Sequence, residues 1–443
     1  MGEPAAARGL AYSVRAFRHR DYLIFWCGAL ASNVGTWLTN LAVPYVLYEL
    51  TQSAFWVGLA TLAQLLPQVL FAPLGGGLAD RFDRRRLLLA TQTGGALAAG
   101  GLCALWLAGV REPLAIMAVT GLSGLFNGLN LPSWQSFVND LVPRADLTSA
   151  IALNSLQFNA ARSIGPAIAG LLLATLGPGW AFLFNALSFG FVIWALSMVR
   201  ARPRPGAVAS TAKTPRGFVQ ALRYVGGQRG IQVAIIVSVM IGFFGNPIFG
   251  FTVVFADEVF GVGAVGLGLL NAALGIGSLL AAPLISGGFL RLTLSRTVRW
   301  ALPLHAVGML GFAVAPNLLL GALALMLVGA SFLAVVSTAN TAIQLIVADQ
   351  VRGRVLAVRI MIFTASFPLG ALAQGWLSDR IGPQATVAGS ALVLGAVALA
   401  FSAWRGGAVL ARLDDPPDRG DPSSDRPVPR DGTLRACAPG SEA

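Results

Sequence analysis

Long apolar runs alternate with short basic segments along the whole chain, and the spacing of the charges predicts helices that cross a membrane. A spanning helix needs ~20 mostly apolar residues, at ~1.5 Å each, to cross a hydrocarbon core of ~30 Å. The charge-free intervals from Tyr22 to Tyr48, Leu87 to Val110, Pro113 to Asn139, Ile231 to Ala256, Val259 to Leu290, Ile360 to Ser378 and Ile381 to Trp404 each fit one crossing. The interval from Trp300 to Ala348 is too long for one, and Pro316 with Asn317 supplies a turn that divides it. Another span follows the polar Thr51, Gln52 and Ser53 and ends near Ala79. Leu147 to Val199, interrupted by Arg162, divides at Gly177, Pro178 and Gly179 into the fifth and sixth spans, for a total of twelve.

The basic residues orient these spans, because short cytoplasmic loops are enriched in Lys and Arg. Arg8, Arg15, Arg18 and Arg20 precede the first span, and Arg81, Arg84, Arg85 and Arg86 follow the second. Arg144, the segment from Arg200 to Arg229 with Lys213, then Arg291, Arg296, Arg299, Arg352, Arg354 and the C-terminal tail fall on the same side. The other side receives Arg111 and Arg380. Both termini are therefore expected in the cytoplasm, and the first span is too long for a cleaved signal peptide.

Composition agrees: of 443 residues, 56% are hydrophobic and 11% charged, with a mean hydropathy of +0.71. This is an all-α membrane protein, since water-soluble chains are about one quarter charged. The net charge of +12 would fit nucleic-acid binding only with the cations gathered on one soluble face, and they are distributed between spans. Cys27, Cys103 and Cys437 lack a metal or disulfide spacing, and His19 and His305 are the only imidazoles. No Walker loop and no clustered acid, base or nucleophile is present, so neither an enzyme nor a cofactor is expected. All but Lys213 of the 31 Lys and Arg residues are arginine, which points to a GC-rich, bacterial source and hence to the inner (plasma) membrane.

An internal repeat divides the spans into two halves. A shift of 205 places Val142 to Pro178 on Val347 to Pro383, pairing Gly165 with Gly370, Gly170 with Gly375, and Gly177-Pro178 with Gly382-Pro383. A shift near 210 places Ala72-Pro73-Leu74 on Ala282-Pro283-Leu284, with Gly76-Gly77 close to Gly287-Gly288. The expected organisation is a cytoplasmic segment (1–21), a six-helix half (22–199), a linker (200–230), a second six-helix half (231–405) and a disordered cytoplasmic tail (406–443). Within the linker, Phe218, Leu222 and Val225 recur at helical spacing among Arg216, Arg223 and Arg229, which predicts a short helix at the membrane surface.

The stretch GGGLADRFDRRR, Gly75 to Arg86, resembles the signature loop of the major facilitator superfamily. By that resemblance Gly76, Asp80, Arg81, Arg84 and Arg85 help latch the two halves at the cytoplasmic side. Gly76 lets the second span approach a neighbour, and Asp80 can face the N-terminus of another helix. Asp83 stands where the family carries glycine. RSIGPAIAG, Arg162 to Gly170, is similar to the superfamily's antiporter signature through Gly165, Pro166 and Gly170, with Ala161 and Ala169 in place of glycines. The whole layout, with FRHRDYLIFW at Phe17, LVPRADLTSAIALNSL at Leu141 and VRGRVLAV at Val351, resembles the branch of enterobactin exporters and macrolide efflux proteins. That resemblance implies export of a small organic compound, drug or siderophore-like, by proton antiport.

Polar side chains inside a span face either a cavity or a partner helix. Asn33, Trp37 and Asn40 share one face of the first span. Gln64, Gln68, Asn127, Asn130, Asn246, Asn271, Asn340 and Gln344 are further candidates, with Trp134 available for stacking. Interhelical bonding and a neutral, amide-lined central cavity both account for them. Arg162 lies deep in the fifth span, where an unpaired cation costs ~2.5 kcal/mol or more. It requires an anionic substrate, a carboxylate that changes protonation, or carbonyls that hold helix packing. No carboxylate lies mid-span. Glu49, Asp257 and Glu258 sit at outer helix ends, as available proton carriers or as solvated ends. The expected partners are a small-molecule substrate, protons and the lipid bilayer, for a monomer that binds no nucleic acid. An importer and a non-transporting receptor are the alternatives.

Overall fold

A computed structural model describes residues 14–199, 215–286, 293–403 and 408–414. Twelve long helices carry these residues: α1 Arg20–Thr51, α2 Ala54–Arg81, α3 Arg84–Leu107, α4 Pro113–Leu141, α5 Leu147–Thr175, α6 Pro178–Met198, α8 Gly263–Ser286, α9 Leu294–Ala313, α10 Leu318–Ile346, α11 Asp349–Ile381 and α12 Pro383–Ala403, with α7 Arg229–Val259. Among the described residues there is no strand. Nine of the helices are long and apolar enough to cross a membrane by length and composition alone, and α1, α5 and α9 are not among them. Those three bury polar side chains as other helices do, with Ser32 and Thr39 on α1, Gln157 on α5 and His305 on α9.

The turns follow from local chemistry. Gly177 (φ +85°) and Gly382 (φ +88°) each adopt a backbone that side chains rarely tolerate. Each is followed by a proline whose fixed φ and missing N–H suit a first helical turn, so the repeated Gly-Pro pair starts α6 and α12 alike. Asn317 caps α10 by accepting from the Leu320 N–H at 3.0 Å, at the turn expected there. The cationic helix starts extend further than charge counting predicts: α11 begins at Asp349 rather than Ile360, and α9 at Leu294 rather than Trp300. Arginine is a good helix former, so Arg352, Arg354 and Arg359 do not interrupt α11.

Packing repeats between the halves. In the first, α2 packs on α4, α3 on α4 and α6, and α1 on α5. In the second, α8 packs on α10, α9 on α10 and α12, and α7 on α11. The halves meet through α2 with α11 and α5 with α8. α7 is broken at Pro247, which cannot donate to the Phe243 carbonyl, and Gln374 Nε2 on α11 donates to that oxygen instead at 2.7 Å. Arg111 and Arg380, the two cations expected on the outer side, lie over Trp106 and Trp376 at 3.5 and 3.6 Å from the ring centroids.

The linker helix, Pro215–Gly227, docks on the second half. Tyr224 Oη accepts from the Ala348 N–H, and Gln220 accepts from Arg354. The expected tail boundary changes, because Ala408–Asp414 folds back on the protein. Leu410 and Leu413 are buried and Asp414 accepts from the Ser295 N–H, so two apolar side chains and a helix N-terminus hold a segment whose composition reads as solvated. Arg8, Arg200 to Lys213, Gly287-Gly288, Arg291 and the tail from 415 lie outside the described residues.

Candidate functional site

The repeat in the sequence reappears as two equivalent crossings between the halves. A methyl on Gly170 would lie 2.6 Å from the Ala264 carbonyl oxygen, and one on Gly375 would lie 2.5 Å from that of Ala54. Gly268 meets the Pro166 carbonyl and Gly58 meets that of Ala371 in the same way. The register shifts of 205 and 210 map each residue of the α5–α8 crossing onto its counterpart in the α2–α11 crossing. Both crossings lie in the half of the molecule away from Val14 and Asp414, the ends of the described residues. Of the expected gating residues, Gly165, Pro166 and Gly170 are therefore at or beside the contact between halves, with Gly165 against Trp37 Cβ.

Polar contacts reinforce this closed end. Asp379 on α11 accepts from Ser53 Oγ at 2.5 Å, the Ala54 N–H at 2.7 Å and the Phe55 N–H at 3.2 Å, all at the start of α2. Tyr48 donates to Glu258 between α1 and α7, and Tyr45 donates to Glu49 at 2.5 Å. Glu49, Asp257 and Glu258 are exposed at this end, two of them engaged by tyrosines.

Arg162 lies midway along α5, and its guanidinium reaches two rings of the other half. Its Cζ is 4.8 Å from the Phe249 centroid on α7 and 5.6 Å from that of Phe332 on α10. Its Nε is buried without a hydrogen-bond partner, and among the described residues the guanidinium makes neither an ion pair nor a hydrogen bond. Trp37 on α1 lies edge-on to Phe158, 6.4 Å between centroids, one helical turn from Arg162. Asn33 is half-buried on the same helix as Trp37.

The other amides are placed differently. Asn40 accepts from Gln64 at 2.6 Å, and Asn130 accepts from Thr91 at 3.1 Å and Gln92 at 3.3 Å. Asn271 donates to Thr252 at 2.8 Å. These bonds join helices within one half. Asn246 is buried at the break in α7, Gln68 is half-buried, and Asn127 and Gln344 are exposed. Trp134 packs on Phe25 at 4.8 Å.

The signature loop joins α2 to α3 at the end that bears Val14 and Asp414. Arg84 pairs with Asp140 at 2.7 Å, and Arg85 donates to the carbonyls of Leu196, at 2.5 Å, and Ser197, so both described anchors hold α3 within the first half. Asp83 accepts from the Arg86 N–H at 2.8 Å and caps α3, which explains an aspartate where the family has glycine. Gly75 makes the tight approach to α4, 2.6 Å from a built Cβ to the Leu129 carbonyl oxygen. Gly76 and Asp80 are each engaged in an interaction, and Arg81 is exposed.

A family model described as transmembrane secretion effector matches residues 11–412. The chain belongs to this family of major facilitator transporters. It is 27% identical over 391 residues to the multidrug efflux pump Tap of Mycolicibacterium fortuitum, covering 85% of this chain and 94% of that one. It is 27% identical to the staphyloferrin A transporter of Staphylococcus aureus over 166 residues, 37% of this chain, so it spans only 42% of that relative's length. The crystal structure of a bacterial homolog of the human lysosomal transporter Spinster shares the fold, with a TM-score of 0.70 at 16% identity over 92% of this chain and 100% of that one.

Three features of this transporter escape a reading of apolar runs. Asp379 borders the eleventh run and reads as a solvated helix end. Phe249 and Phe332 read as ordinary core. Arg359 is 4% exposed, with each donor group occupied: Nε to Ser238 Oγ at 3.3 Å, Nη1 to Asn340 Oδ1 at 3.2 Å, and Nη2 to the Val336 carbonyl at 3.0 Å. Its position at the start of an apolar run was the only available signal.

Proposed function

We propose that this transporter exports a small organic compound from the bacterial cytoplasm by alternating access, as a proton antiporter. The carrying observation is the pair of glycine crossings, which hold the halves together at the end away from Val14 and Asp414. Positive-inside counting makes that end the outer one, with both termini cytoplasmic in the inner membrane. The described hydrogen bonds between halves, Asp379 with α2 and Tyr48 with Glu258, lie at this same end, as expected of a form open to the cytoplasm. Similarity to the efflux pump Tap over most of both chains supports outward flux. Two halves of one chain frame the site, which favours a monomer without nucleic-acid partners.

In this reading Glu49, Asp257 and Glu258 are the proton carriers. Asn33, Trp37 and Arg162 line the substrate path, and Gly76, Asp80 and Arg81 complete the cytoplasmic latch in the outward-open form. Asn127 and Asn246 extend the substrate path from α4 and α7. Asn40, Asn130, Asn271 and Asn340 contribute by fixing the helices that frame it. The test is flux of a dye and drug panel into everted membrane vesicles. Accumulation driven by an imposed proton gradient and abolished by a protonophore is expected. Accumulation only in right-side-out vesicles would make the protein an importer, and flux indifferent to the gradient would end the antiport reading.

A further inference from the structure

Two arginines lie within the membrane helices, Arg162 on α5 and Arg359 on α11, and their surroundings differ. Arg359 shows how this protein satisfies a buried guanidinium by itself, with a hydroxyl, an amide oxygen and a backbone carbonyl around the plane of the group. Arg162 has no such set. Its Nε is buried without an acceptor, while Phe249 and Phe332 approach from the opposite half. Aromatic rings engage a cation electrostatically and leave its N–H donors unused. The described carboxylates of the membrane helices stand at helix ends, where Glu258 and Asp379 already have partners. Among the described residues no acceptor is left for Arg162, and its half-buried guanidinium, of which only Nε is buried and unpaired, is placed to take one from outside the chain.

We infer that Arg162 is the anion-binding residue of the central site and that the transported compound is an organic anion, a planar carboxylate or similar oxyanion on an apolar or aromatic body. The guanidinium presents paired donors that match two oxygens at once. Phe249, Phe332, Trp37 and Phe158 supply the aromatic surroundings for the body of the ligand. Because the arginine belongs to one half and the two nearest rings to the other, a ligand held there touches both moving parts. This inference rests on the transporter reading for its physiological meaning, but binding is measurable without flux.

The experiment uses purified full-length protein in detergent and three acid–amide pairs: benzoate with benzamide, 2-naphthoate with 2-naphthamide, and indole-3-acetate with its amide. Thermal-shift titrations read apparent affinity for wild type, Arg162→Lys and Arg162→Gln, with Arg359→Lys, at a buried arginine whose nitrogens are all engaged, as the control. For at least one pair the acid is expected to bind wild type about tenfold or more tighter than the amide. That ratio should fall close to one in Arg162→Gln, persist in part in Arg162→Lys, and survive in Arg359→Lys. Wild type that shows no acid preference in any pair, or an acid preference unchanged in Arg162→Gln, overturns the proposal. Stabilisation by chloride alone, with acids and amides indistinguishable, overturns it too and marks a counter-ion site. Arg162→Lys keeps the test valid if Arg162→Gln does not fold. Failure of flux in vesicles with a retained acid preference would count against export and leave the anion site standing.

Discussion

The Asp379 carboxylate of α11 accepts from the Ala54 N–H at 2.7 Å and so caps the first turn of α2 across the boundary between the two halves. The anion stands where the α2 dipole is positive, and it also receives the Ser53 hydroxyl and the Phe55 N–H. The pseudo-equivalent α5–α8 crossing has the same glycine geometry but not the same chemistry: the 205 shift places Ala174 opposite Asp379, and the 210 shift places Gly263 opposite Ser53. Among the described residues, one of the two equivalent crossings thus carries a polar cap and the other does not.

Removing this cap should open this end, the one we propose faces outward. A lost cap costs about 0.5–2 kcal/mol, or about a 2- to 30-fold change in the closed-to-open ratio. Asp379→Ala is expected to raise the rate at which Thr61→Cys, in the small pocket between α2 and α7, reacts with a membrane-impermeant maleimide applied from outside. Asp379→Asn keeps an acceptor and loses the charge, so its effect should be smaller. Unchanged labelling in both variants would show that the cap does not hold the outer end shut.

The glycine crossings predict a matched pair of stability losses. A methyl at Gly170 or Gly375 meets carbonyl backbone of the opposite half within 2.6 Å, which backbone shifts alone can relieve. Overpacking of this kind costs about 1–3 kcal/mol. Gly77 has nothing within 4 Å, so Gly77→Ala should be neutral or stabilising by up to ~1 kcal/mol through helix propensity. Thermal unfolding in detergent distinguishes them. Equal midpoints for Gly170→Ala, Gly375→Ala and Gly77→Ala would mean that the halves do not need this close approach.

The periodic features were legible in the sequence because they depend on local physics. Apolar runs must be long enough to span lipid, and Gly177-Pro178 and Gly382-Pro383 announce equivalent turns. Gly170 and Gly375 could be paired by register before either had a neighbour. The site was only partly legible. An amide in a span must find a partner, but the pattern does not say whether that partner is a helix of the same half, as for Asn40 with Gln64 and Asn130 with Gln92, or a cavity. Arg162 stood out by cost, whereas Asp379 did not, because a charge at a helix end costs little until the arrangement of the halves brings a second helix N-terminus onto it.

Arg359 and Asn340 make a separate prediction, since the amide oxygen accepts from Nη1 at 3.2 Å. Asn340→Ala leaves a buried donor unsatisfied, at about 1–3 kcal/mol. Asn340→Asp supplies an anion and should equal or exceed wild type in thermal midpoint. If Asn340→Ala instead melts like wild type and loses only ligand affinity, Asn340 faces the substrate rather than supporting Arg359.

The N-terminal segment is anchored through Asp146, whose Oδ2 lies 2.8 Å from His19 Nε2 and whose Oδ1 lies 3.4 Å from Arg15 Nε. The His19 hydrogen bond, then the charges of Arg15, His19 and Arg18, hold this carboxyl below its ordinary range against an opposing desolvation effect. A carboxyl depressed in the folded state stabilises it fully above the unfolded value, and the contribution disappears as pH falls through the folded value. The anchor should therefore persist at neutral pH and fail only in acid below the ordinary carboxylate range. The Ala16 N–H also donates to Ser149 at 3.1 Å, so loss of Asp146 alone loosens the segment without releasing it. Hydrogen exchange of the segment around Arg15 to Arg18, corrected for intrinsic rates, checks both points. Wild-type protection should be high at neutral pH and drop in acid, while Asp146→Asn should show lower, flatter protection throughout. Equal protection of the two proteins at neutral pH would rule out Asp146 as the anchor.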